Sequence, residues 1–162
     1  HPVLQLARRL YPRGRLHVFA RSPAEQTFAR ELGVDWAGDT QDAPPELLDA
    51  VIDTTPVWGP VLAALAVLKS GGRLVINAIR KEDGDRSFLS GLDYPAHLWM
   101  EKTIQSVANV TRADVREFLD LAAQIPIRPT VREYPLAQAN QALRDLKQRN
   151  IRGAKVLRIR ED

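Results

Sequence analysis

Residues 50–79 read AVIDTTPVWGPVLAALAVLKSGGRLVINAI, and this stretch decides the fold class. Its opening, residues 50–56, predicts a buried strand that runs into a turn at a proline. An Ala- and Leu-rich helix is predicted over residues 57–69, ending at the glycine pair 71–72, and residues 73–78 predict a second buried strand. A strand, a helix and a strand in this order form a βαβ unit, which pairs its two strands in parallel.

The same alternation of helix and strand extends outward from this unit. Apolar spacing and turn residues predict, in chain order, a helix ending before Gly14, a strand over 15–20, a helix ending before Gly33, a short helix over 94–100, a strand over 103–108 and a helix opened by Thr111. We therefore expect an α/β fold with a parallel sheet. In such a sheet, any ligand should bind at the carboxyl ends of the strands.

Two helix starts carry side-chain capping signals. Ser22 is placed to cap the helix that begins with Pro23, and Glu25 completes a capping box with it. Thr111 and Asp114 have the same spacing at a later helix. Both pairs predict that side chains satisfy free backbone N–H groups at the helix start.

The pattern changes after residue 127, which indicates a separate C-terminal piece. A strand is predicted over 129–134, then a helix opened by Pro135 and a closing strand over 154–159. One face of this helix is apolar, so its side chains are expected to point inward: Leu136, Ala139, Leu143 and Leu146. The sheet is therefore expected to be followed by a C-terminal αβ tail.

Composition argues against a metal centre built from this chain. The chain has 162 residues, no Cys and three His, so it forms neither a disulfide framework nor a thiolate metal site. His1, His17 and His97 do not have the spacing of metal ligands. We therefore assign no metal ligand here.

Charge and hydropathy point to neither a nucleic-acid nor a membrane partner. The chain has 23 basic and 20 acidic residues, a net charge of +3. Seven bases lie within residues 144–160, but apolar residues alternate with them as in a helix and a strand, and no aromatic is interleaved. The longest apolar run, 61–68, is too short to span a membrane, and no signal-peptide layout opens the chain. We expect a cytoplasmic protein.

The predicted carboxyl ends of the strands carry small polar residues and few acids or bases suited to catalysis. These segments are residues 20–22, 53–56, 77–80 and 108–111. Backbone amides and hydroxyls of this kind suit a dinucleotide better than acid–base catalysis. The alternative is that they are ordinary loop and helix-cap residues, and spacing alone leaves both interpretations open.

A glycine-rich phosphate-binding turn of the form G-x-G-x-x-G is absent from the chain. The first predicted helix begins at residue 1 with no strand before it, although a dinucleotide-binding fold needs both the strand and the turn. We expect these two elements to precede residue 1 in a longer protein. The alternative is a natural start with a different topology.

Six stretches together carry a family resemblance. They are ARELGVD at 29–35, VIDTT at 51–55, GGRLV at 71–75, TRAD at 111–114, YPLAQAN at 134–140 and IRGAKVL at 151–157. In this order they resemble the C-terminal half of the medium-chain dehydrogenase/reductase superfamily, and in particular its zinc-dependent alcohol dehydrogenases. The resemblance implies a Rossmann-like doubly wound parallel sheet over residues 1–110 that lacks its first strand. Residues 111–162 would return to the catalytic, GroES-like domain.

The resemblance implies hydride transfer between an alcohol or aldehyde and C4 of a nicotinamide dinucleotide, with a zinc ion polarising the substrate oxygen. The zinc ligands and proton-relay residues would lie in the missing domain. We therefore assign no catalytic residue to this chain and do not expect it to be active alone. Two other interpretations stay open: a zinc-free quinone or enoyl reductase of the same superfamily, and a non-enzymatic nucleotide-binding or interaction domain.

Cofactor contacts follow from the resemblance position by position. The matching positions are His1 and Pro2 at the pyrophosphate, Ala20, Arg21 and Ser22 at the adenosine ribose, Thr54 and Thr55 beside the two riboses, Asn77, Ala78 and Ile79 at the nicotinamide, and Ala108, Asn109 and Val110 at the carboxamide. Many relatives place a phosphate-contacting Arg directly after the glycine near the C-terminus, but Ala154 follows Gly153 here. Arg152 or Lys155 is expected to replace that contact.

In the family, the residues at the end of the second strand of the nucleotide-binding domain affect the choice of cofactor. NAD-preferring relatives place an acid there to hold the ribose hydroxyls, whereas this chain has Ala20 followed by Arg21 and Ser22. A guanidinium and a hydroxyl suit a 2′-phosphate, so we favour NADP over NAD. The alternative is that Arg21 is solvated and Ser22 acts only as a helix cap.

Oligomerisation through a sheet edge is common in the family. The last strand of the predicted sheet, Thr103–Ala108, offers an unpaired apolar edge, which is costly to leave bare. We therefore expect a homodimer through this strand. The substrate implied by the resemblance is a small alcohol or aldehyde, and the missing domain would build most of its pocket.

Overall fold

The computed structural model describes residues 2–125, 127–148 and 152–159. Its helices and strands are, in chain order, α1 (Pro2–Leu10), β1 (His17–Phe19), α2 (Pro23–Glu31), β2 (Trp36–Gly38), β3 (Leu48–Asp53), α3 (Gly59–Ala66), β4 (Leu68–Ile76), α4 (Tyr94–His97), β5 (Thr103–Ser106), α5 (Arg112–Gln124), β6 (Val131–Pro135), α6 (Ala139–Lys147) and β7 (Ala154–Arg158). Two 3₁₀ segments span Arg86–Gly91 and Leu136–Gln138. Helices and strands alternate, and the predicted α/β class is confirmed.

The described residues divide into two compact units that interleave along the chain. The terminal unit takes the residues up to Val18, Ser22–Ala37 and the described residues from Glu117 onward. The central unit takes Phe19–Arg21 and Gly38–Arg116. The strands β3, β4 and β5 therefore lie wholly within the central unit.

The central unit is built on a sheet of three parallel strands in the order β3-β4-β5. Val51 pairs with Leu74, and Leu74 pairs in turn with Ile104. Because the strands run in the same direction, their carboxyl ends lie along one edge, where open α/β sheets bind their ligands. The predicted parallel pairing is confirmed.

Helix α3 packs on this sheet and supplies its core. The helix sequence, GPVLAALA, contains no polar side chain. Leu65, Leu68 and Leu74 are at most 2% exposed, and Leu48 and Val61 belong to the same cluster. Burying a leucine side chain stabilises a fold by about 1.5–3 kcal/mol, so this cluster holds helix and sheet together.

The prediction of a helix that ends at the glycine pair is wrong. α3 stops earlier, at Ala66, and β4 already begins at Leu68. The pairing of β4 with β3 slips between Leu48 and Ala50, which marks a β-bulge. Gly71 has a φ of 71°, a conformation that glycine adopts without steric cost. The glycines therefore bend a strand instead of ending a helix.

The two capping predictions have different outcomes. At α5, the Asp114 carboxylate accepts the backbone N–H and the hydroxyl of Thr111, both at 2.7 Å, and Thr111 Oγ1 accepts the N–H of Asp114 at 3.2 Å, so that capping box is confirmed. Ser22 is the N-cap residue of α2, but its side chain makes no capping hydrogen bond, so the box with Glu25 is wrong. Pro23 has no N–H, which leaves one donor fewer to satisfy at that helix start.

In the region before β3, strand β1 pairs with a strand that the sequence did not reveal, β2. Trp36–Gly38 is too short to show an alternating pattern. In the terminal unit, the Arg8 guanidinium donates to the backbone oxygen of Gly33 at 2.6 Å and to Asp35 at 2.7 Å. The Leu16 N–H and the Arg8 side chain hold the pKa of Asp35 below its usual value.

The C-terminal tail has β6 and β7 paired in parallel, with α6 between them in the chain. The leucines predicted to point inward are exposed instead: Leu136 by 52%, Leu143 by 63% and Leu146 by 58%. The buried residue of α6 is Ala142, and Ala139 is half-buried. The buried Tyr134 hydroxyl donates to Asp145 at 2.7 Å, and this bond turns the face carrying Ala142 and Asp145 toward the sheet.

Candidate functional site

The candidate site lies at the carboxyl edge of the β3-β4-β5 sheet. The Asn77 N–H donates to the Asp53 oxygen at 2.8 Å, and the Val107 N–H donates to the Ile76 oxygen at 3.1 Å. These bonds keep the three chain segments side by side beyond the paired residues. Eight predicted site residues follow there: Thr54, Thr55, Asn77, Ala78, Ile79, Ala108, Asn109 and Val110.

The other predicted site residues do not follow these strands. Ala20 and Arg21 follow β1 and belong to the central unit, whereas Pro2, Ser22 and Arg152 belong to the terminal unit. His1 lies outside the described residues.

The surface of this edge combines exposed polar and apolar side chains. Thr54 and Asn77 are exposed, Ile79 is fully exposed, and Val110 is 70% exposed. Asn109 adopts a φ of 60°, a left-handed conformation that asparagine tolerates better than most residues. Apolar side chains among hydroxyl, amide and backbone groups are typical of a surface that binds an organic ligand.

Beneath this surface lies a buried carboxylate, Asp53, the last residue of β3. It is 5% exposed. Its Oδ1 accepts the backbone N–H of Thr55 at 3.0 Å and the Thr55 hydroxyl at 2.8 Å, and its Oδ2 pairs with the ammonium group of Lys81. A charge withdrawn from water is tolerated only with partners of this kind. Asp53 therefore holds the turn after β3 in place through its hydrogen bonds to Thr55.

Lys81 uses all three of its ammonium hydrogens in this network. Besides pairing with Asp53, Nζ donates to the backbone oxygens of Thr55 and Val57, both at 2.9 Å, and lies 5.9 Å from the centre of the Trp58 ring. The lysine side chain is 10% exposed. A lysine has three donors and no acceptor, so its hydrogen-bonding capacity is filled. The loop after β4 is thereby tied to the turn after β3.

A second carboxylate, Asp85, reaches the start of α3. Its Oδ2 accepts the backbone N–H groups of Trp58 and Gly59, both at 2.8 Å. The N–H groups of Gly59 and Trp58 hold the pKa of Asp85 below its usual value of 3.8. The other oxygen, Oδ1, is buried and has no hydrogen-bond partner within the described ranges. The start of α3 thus already holds a negative charge, which disfavours a ligand phosphate at that helix.

The end of β1 carries no acid. The Ala20 N–H donates to the Gly38 oxygen at 2.9 Å, and Arg21 is exposed. The side chain of Ser22 makes no capping bond to α2. The guanidinium of Arg21 and the hydroxyl of Ser22 therefore follow β1. The resemblance implies that side chains at this position select between NAD and NADP.

The two candidates for the C-terminal phosphate contact both have partners already. Arg152 pairs with the carboxylate of Glu31, and its guanidinium lies 4.7 Å from the centre of the Phe28 ring. Lys155 donates to the Ala142 oxygen at 3.1 Å, and burial lowers its pKa. A phosphate would have to compete with Glu31 for Arg152.

The described part of the chain contains neither a cluster of metal-ligating side chains nor a membrane-spanning helix. No three His, Asp or Glu side chains converge there as a metal site. No helix there has the length and apolar composition needed to cross a membrane.

The charged groups of the candidate site are not among the residues predicted from the sequence: Asp53 as an anchor, Lys81 and Asp85. An aspartate at the end of an apolar strand, VID at 51–53, was a usable signal, because a buried acid requires partners. Lys81 and Asp85 lie in a charged loop, KEDGDR at 81–86, and no local pattern there separates buried from solvated charges. Only the tertiary fold identifies them.

Comparison with known proteins gives a consistent family. A family model described as zinc-binding dehydrogenase matches residues 17–157. A curated relative from Mycobacterium tuberculosis, named "Probable alcohol dehydrogenase AdhA", is 44% identical over 144 residues, which are 89% of this chain and 40% of the relative. The chain thus spans about two fifths of that relative's length.

Solved structures share the fold. A cinnamyl alcohol dehydrogenase from Sorghum bicolor gives a TM-score of 0.74 at 21% identity, covering 91% of this chain and 43% of that one. The quinone oxidoreductase from Coxiella burnetii gives a TM-score of 0.70 at 17% identity, covering 99% of this chain and 49% of that one. At these identities the likeness establishes the fold alone.

Asp85→Asn is expected to lower the melting temperature of the protein at pH 7, because an amide replaces a charged acceptor at the start of α3. The pKa of Asp85 is lowered in the folded state, so its contribution to stability is complete above pH 3.8 and is lost as the pH falls through the folded-state pKa. The difference in melting temperature between wild type and variant should therefore shrink below pH 3.8.

The matched control is Asp83→Asn, two residues away, whose side chain is 88% exposed and only 3.7 Å from Arg86 in a surface ion pair. It should leave the melting temperature nearly unchanged. Equal losses for the two variants would contradict a capping role for Asp85.

Proposed function

Because the chain belongs to the zinc-binding dehydrogenase family, we propose that it is the dinucleotide-binding part of a zinc-dependent alcohol dehydrogenase. The reaction is hydride transfer between a small alcohol or aldehyde and a nicotinamide dinucleotide. The observation that carries the proposal is the 44% identity to an alcohol dehydrogenase over 89% of the chain. The activity belongs to the longer protein, since this chain matches 40% of that relative.

The carboxyl edge of the central sheet supplies groups that suit the cofactor. We propose that Thr54 and Thr55 contact the riboses, that residues 77–79 line the nicotinamide, and that the backbone of residues 108–110 meets the carboxamide. Exposed Thr54 and Asn77 offer hydrogen bonds, and exposed Ile79 offers an apolar contact for a flat ring. The bound dinucleotide supplies the hydride acceptor or donor, and this chain binds and orients it.

The strand order supports a further strand in the longer protein. A doubly wound sheet has the order 3-2-1-4-5-6. Without strand 1, that order leaves a two-stranded sheet, 3-2, and a three-stranded sheet, 4-5-6. The sheets β1-β2 and β3-β4-β5 have these numbers of strands. We propose that strand 1 and its glycine-rich turn precede residue 1, with His1 and Pro2 then at the pyrophosphate and Arg152 contributing from the C-terminal segment.

The division of labour within the longer protein follows from this. We propose that residues 1–110 belong to its nucleotide-binding domain and that residues 111–162 return to a catalytic domain. The zinc ligands, the proton relay and most of the alcohol pocket then lie outside this chain, and none of its residues is assigned a catalytic role. The cytoplasmic location expected from the sequence stays a prediction.

NADP is the proposed cofactor. Arg21 and Ser22 follow β1 where an acid would select the ribose hydroxyls of NAD. Arg21 is exposed and available to pair with a 2′-phosphate, and a guanidinium binds phosphate through two parallel hydrogen bonds. NAD remains the competing cofactor.

A zinc-free quinone reductase is the second candidate, because the fold is shared with a quinone oxidoreductase as well as with an alcohol dehydrogenase and does not separate the two. Such an enzyme would use a nicotinamide dinucleotide without a metal. A non-enzymatic nucleotide-binding protein is the third. The three differ in metal content and in the substrate that the full-length protein turns over.

The test is a steady-state assay on the full-length protein that contains this chain, with a panel of small alcohols and with both dinucleotides. We expect alcohol-dependent reduction, a higher kcat/KM with NADP than with NAD, and loss of the reaction when a chelator removes zinc. Turnover of quinones by a protein without zinc would select the second candidate. No turnover with nucleotide binding intact would select the third.

A matched pair of variants in the same assay isolates the cofactor preference. Arg21→Ala should lower kcat/KM for NADP by about tenfold or more, the loss of one charge-assisted contact, and leave kcat/KM for NAD nearly unchanged. Arg13→Ala, another exposed arginine, is the control. A wild-type preference for NAD would contradict the assignment of Arg21.

A homodimer through β5 is proposed as well. Within the described ranges β5 has one strand neighbour, β4, and every residue of β5 is exposed, including Ile104 at 45%. The unpaired backbone N–H and C=O groups of an exposed strand edge invite pairing with a second copy. Light scattering should report a dimer for the full-length protein and a smaller species for Ile104→Lys, whereas Ile159→Lys, at an exposed position of the C-terminal tail, should stay dimeric. A wild-type monomer would contradict the proposal.

A further inference from the structure

We propose that Asp53 and Lys81 are positioning residues for the nucleotide, acting through Thr54, Thr55 and Asn77. Their buried ion pair clamps the turn after β3 to the loop after β4 and so fixes the surface that the ribose contacts. This inference rests on the proposed function, because it deepens the role of the same sheet edge.

The clamp joins two segments that the sheet alone leaves free. β3 and β4 are last paired at Asp53 and Ile76, and the predicted ribose and nicotinamide contacts begin directly after them. Lys81 crosses from the second segment to the first with three bonds, to Asp53, Thr55 and Val57. The two segments therefore form one preorganised surface before any ligand arrives.

A second pair of bonds supports the same clamp. The Glu82 N–H donates to the Pro56 oxygen at 2.6 Å, next to Lys81 in the chain. The Asn77 N–H donates to the Asp53 backbone oxygen at 2.8 Å. Backbone bonds thus lie on both sides of the ion pair, and the charged side chains lock the region between them.

Asp53 also decides how Thr55 presents its hydroxyl. Thr55 Oγ1 lies 2.8 Å from Asp53 Oδ1 and 3.4 Å from the Val57 oxygen, and both are acceptors. The hydroxyl hydrogen is therefore committed inside the chain, and Oγ1 has only lone pairs to offer a ligand. A ligand hydroxyl that donates, as a ribose hydroxyl does, is the partner that this arrangement selects.

An exposed lysine–aspartate pair between β3 and β4 serves as a comparison for the buried pair. Lys69 and Asp49 form an ion pair between β4 and β3 at 2.9 Å, with side chains 46% and 85% exposed. Both pairs join a lysine to an aspartate of β3, but Lys81 lies in the loop after β4, whereas Lys69 lies in β4 itself. They differ in burial and in their distance from the carboxyl edge, which makes Lys69→Met the control for Lys81→Met.

The experiment measures the dissociation constant of NADP and the melting temperature for full-length wild type, Lys81→Met, Lys69→Met and the double variant Asp53→Asn/Lys81→Met. Lys81→Met should weaken NADP binding by about tenfold or more, the scale at which misplaced supporting groups act, whereas Lys69→Met should bind as wild type does. The double variant removes the orphaned charge, so it should regain melting temperature without regaining affinity.

The outcomes separate the two claims. If Lys81→Met and the double variant bind NADP as tightly as wild type does, the positioning role is overturned and the proposed function stays intact. Recovery of affinity together with melting temperature in the double variant would also overturn it, since a merely structural role predicts that parallel. Wild type that binds neither NADP nor NAD would overturn the proposed function and this inference with it.

Discussion

The packing of the apolar helix α3 on β3 and β4 is the interaction on which the central unit depends. Leu65 of the helix and Leu74 of the strand are fully buried in the same hydrophobic cluster. Because the helix lies between two strands in sequence, burying it brings the chain back to begin a second, parallel strand. Both strands then end at one edge, where Asp53 meets Lys81. The site is a consequence of that crossover.

The sequence predicts this crossover well because uniformly apolar strands and helices are its strongest signals. It fails where a distant group decides the local structure. The glycines after α3 look like a helix stop, yet the N–H of Gly71 donates to the Met100 oxygen at 2.8 Å and the segment becomes a bulged strand. In α6, the leucine spacing predicts the wrong buried face. The hydrogen bond from the buried hydroxyl of Tyr134 to Asp145 determines which face of the helix packs inward.

The candidate site divides in the same way. Small polar residues after parallel strands can be predicted from sequence, because topology alone brings strand ends together, and Thr54, Thr55 and Asn77 are predicted at this edge for that reason. The charges below them could not be, since Lys81 lies 28 residues from Asp53 and its loop is rich in other charges. Such a network costs stability unless every charge is partnered, and Asp53 and Lys81 meet that condition through each other and through the groups of Thr55 and Val57.

Hydrogen exchange on the full-length protein, with and without saturating NADP, tests whether the cofactor binds at the carboxyl edge of the central sheet. We predict slower amide exchange on binding in three separate segments, residues 53–58, 77–82 and 108–111, because they border one proposed ligand surface. Peptides from the opposite sheet edge, around residues 69–72, should exchange at an unchanged rate. Binding of NADP that slows exchange in none of the three segments would contradict the assignment of the cofactor to this edge.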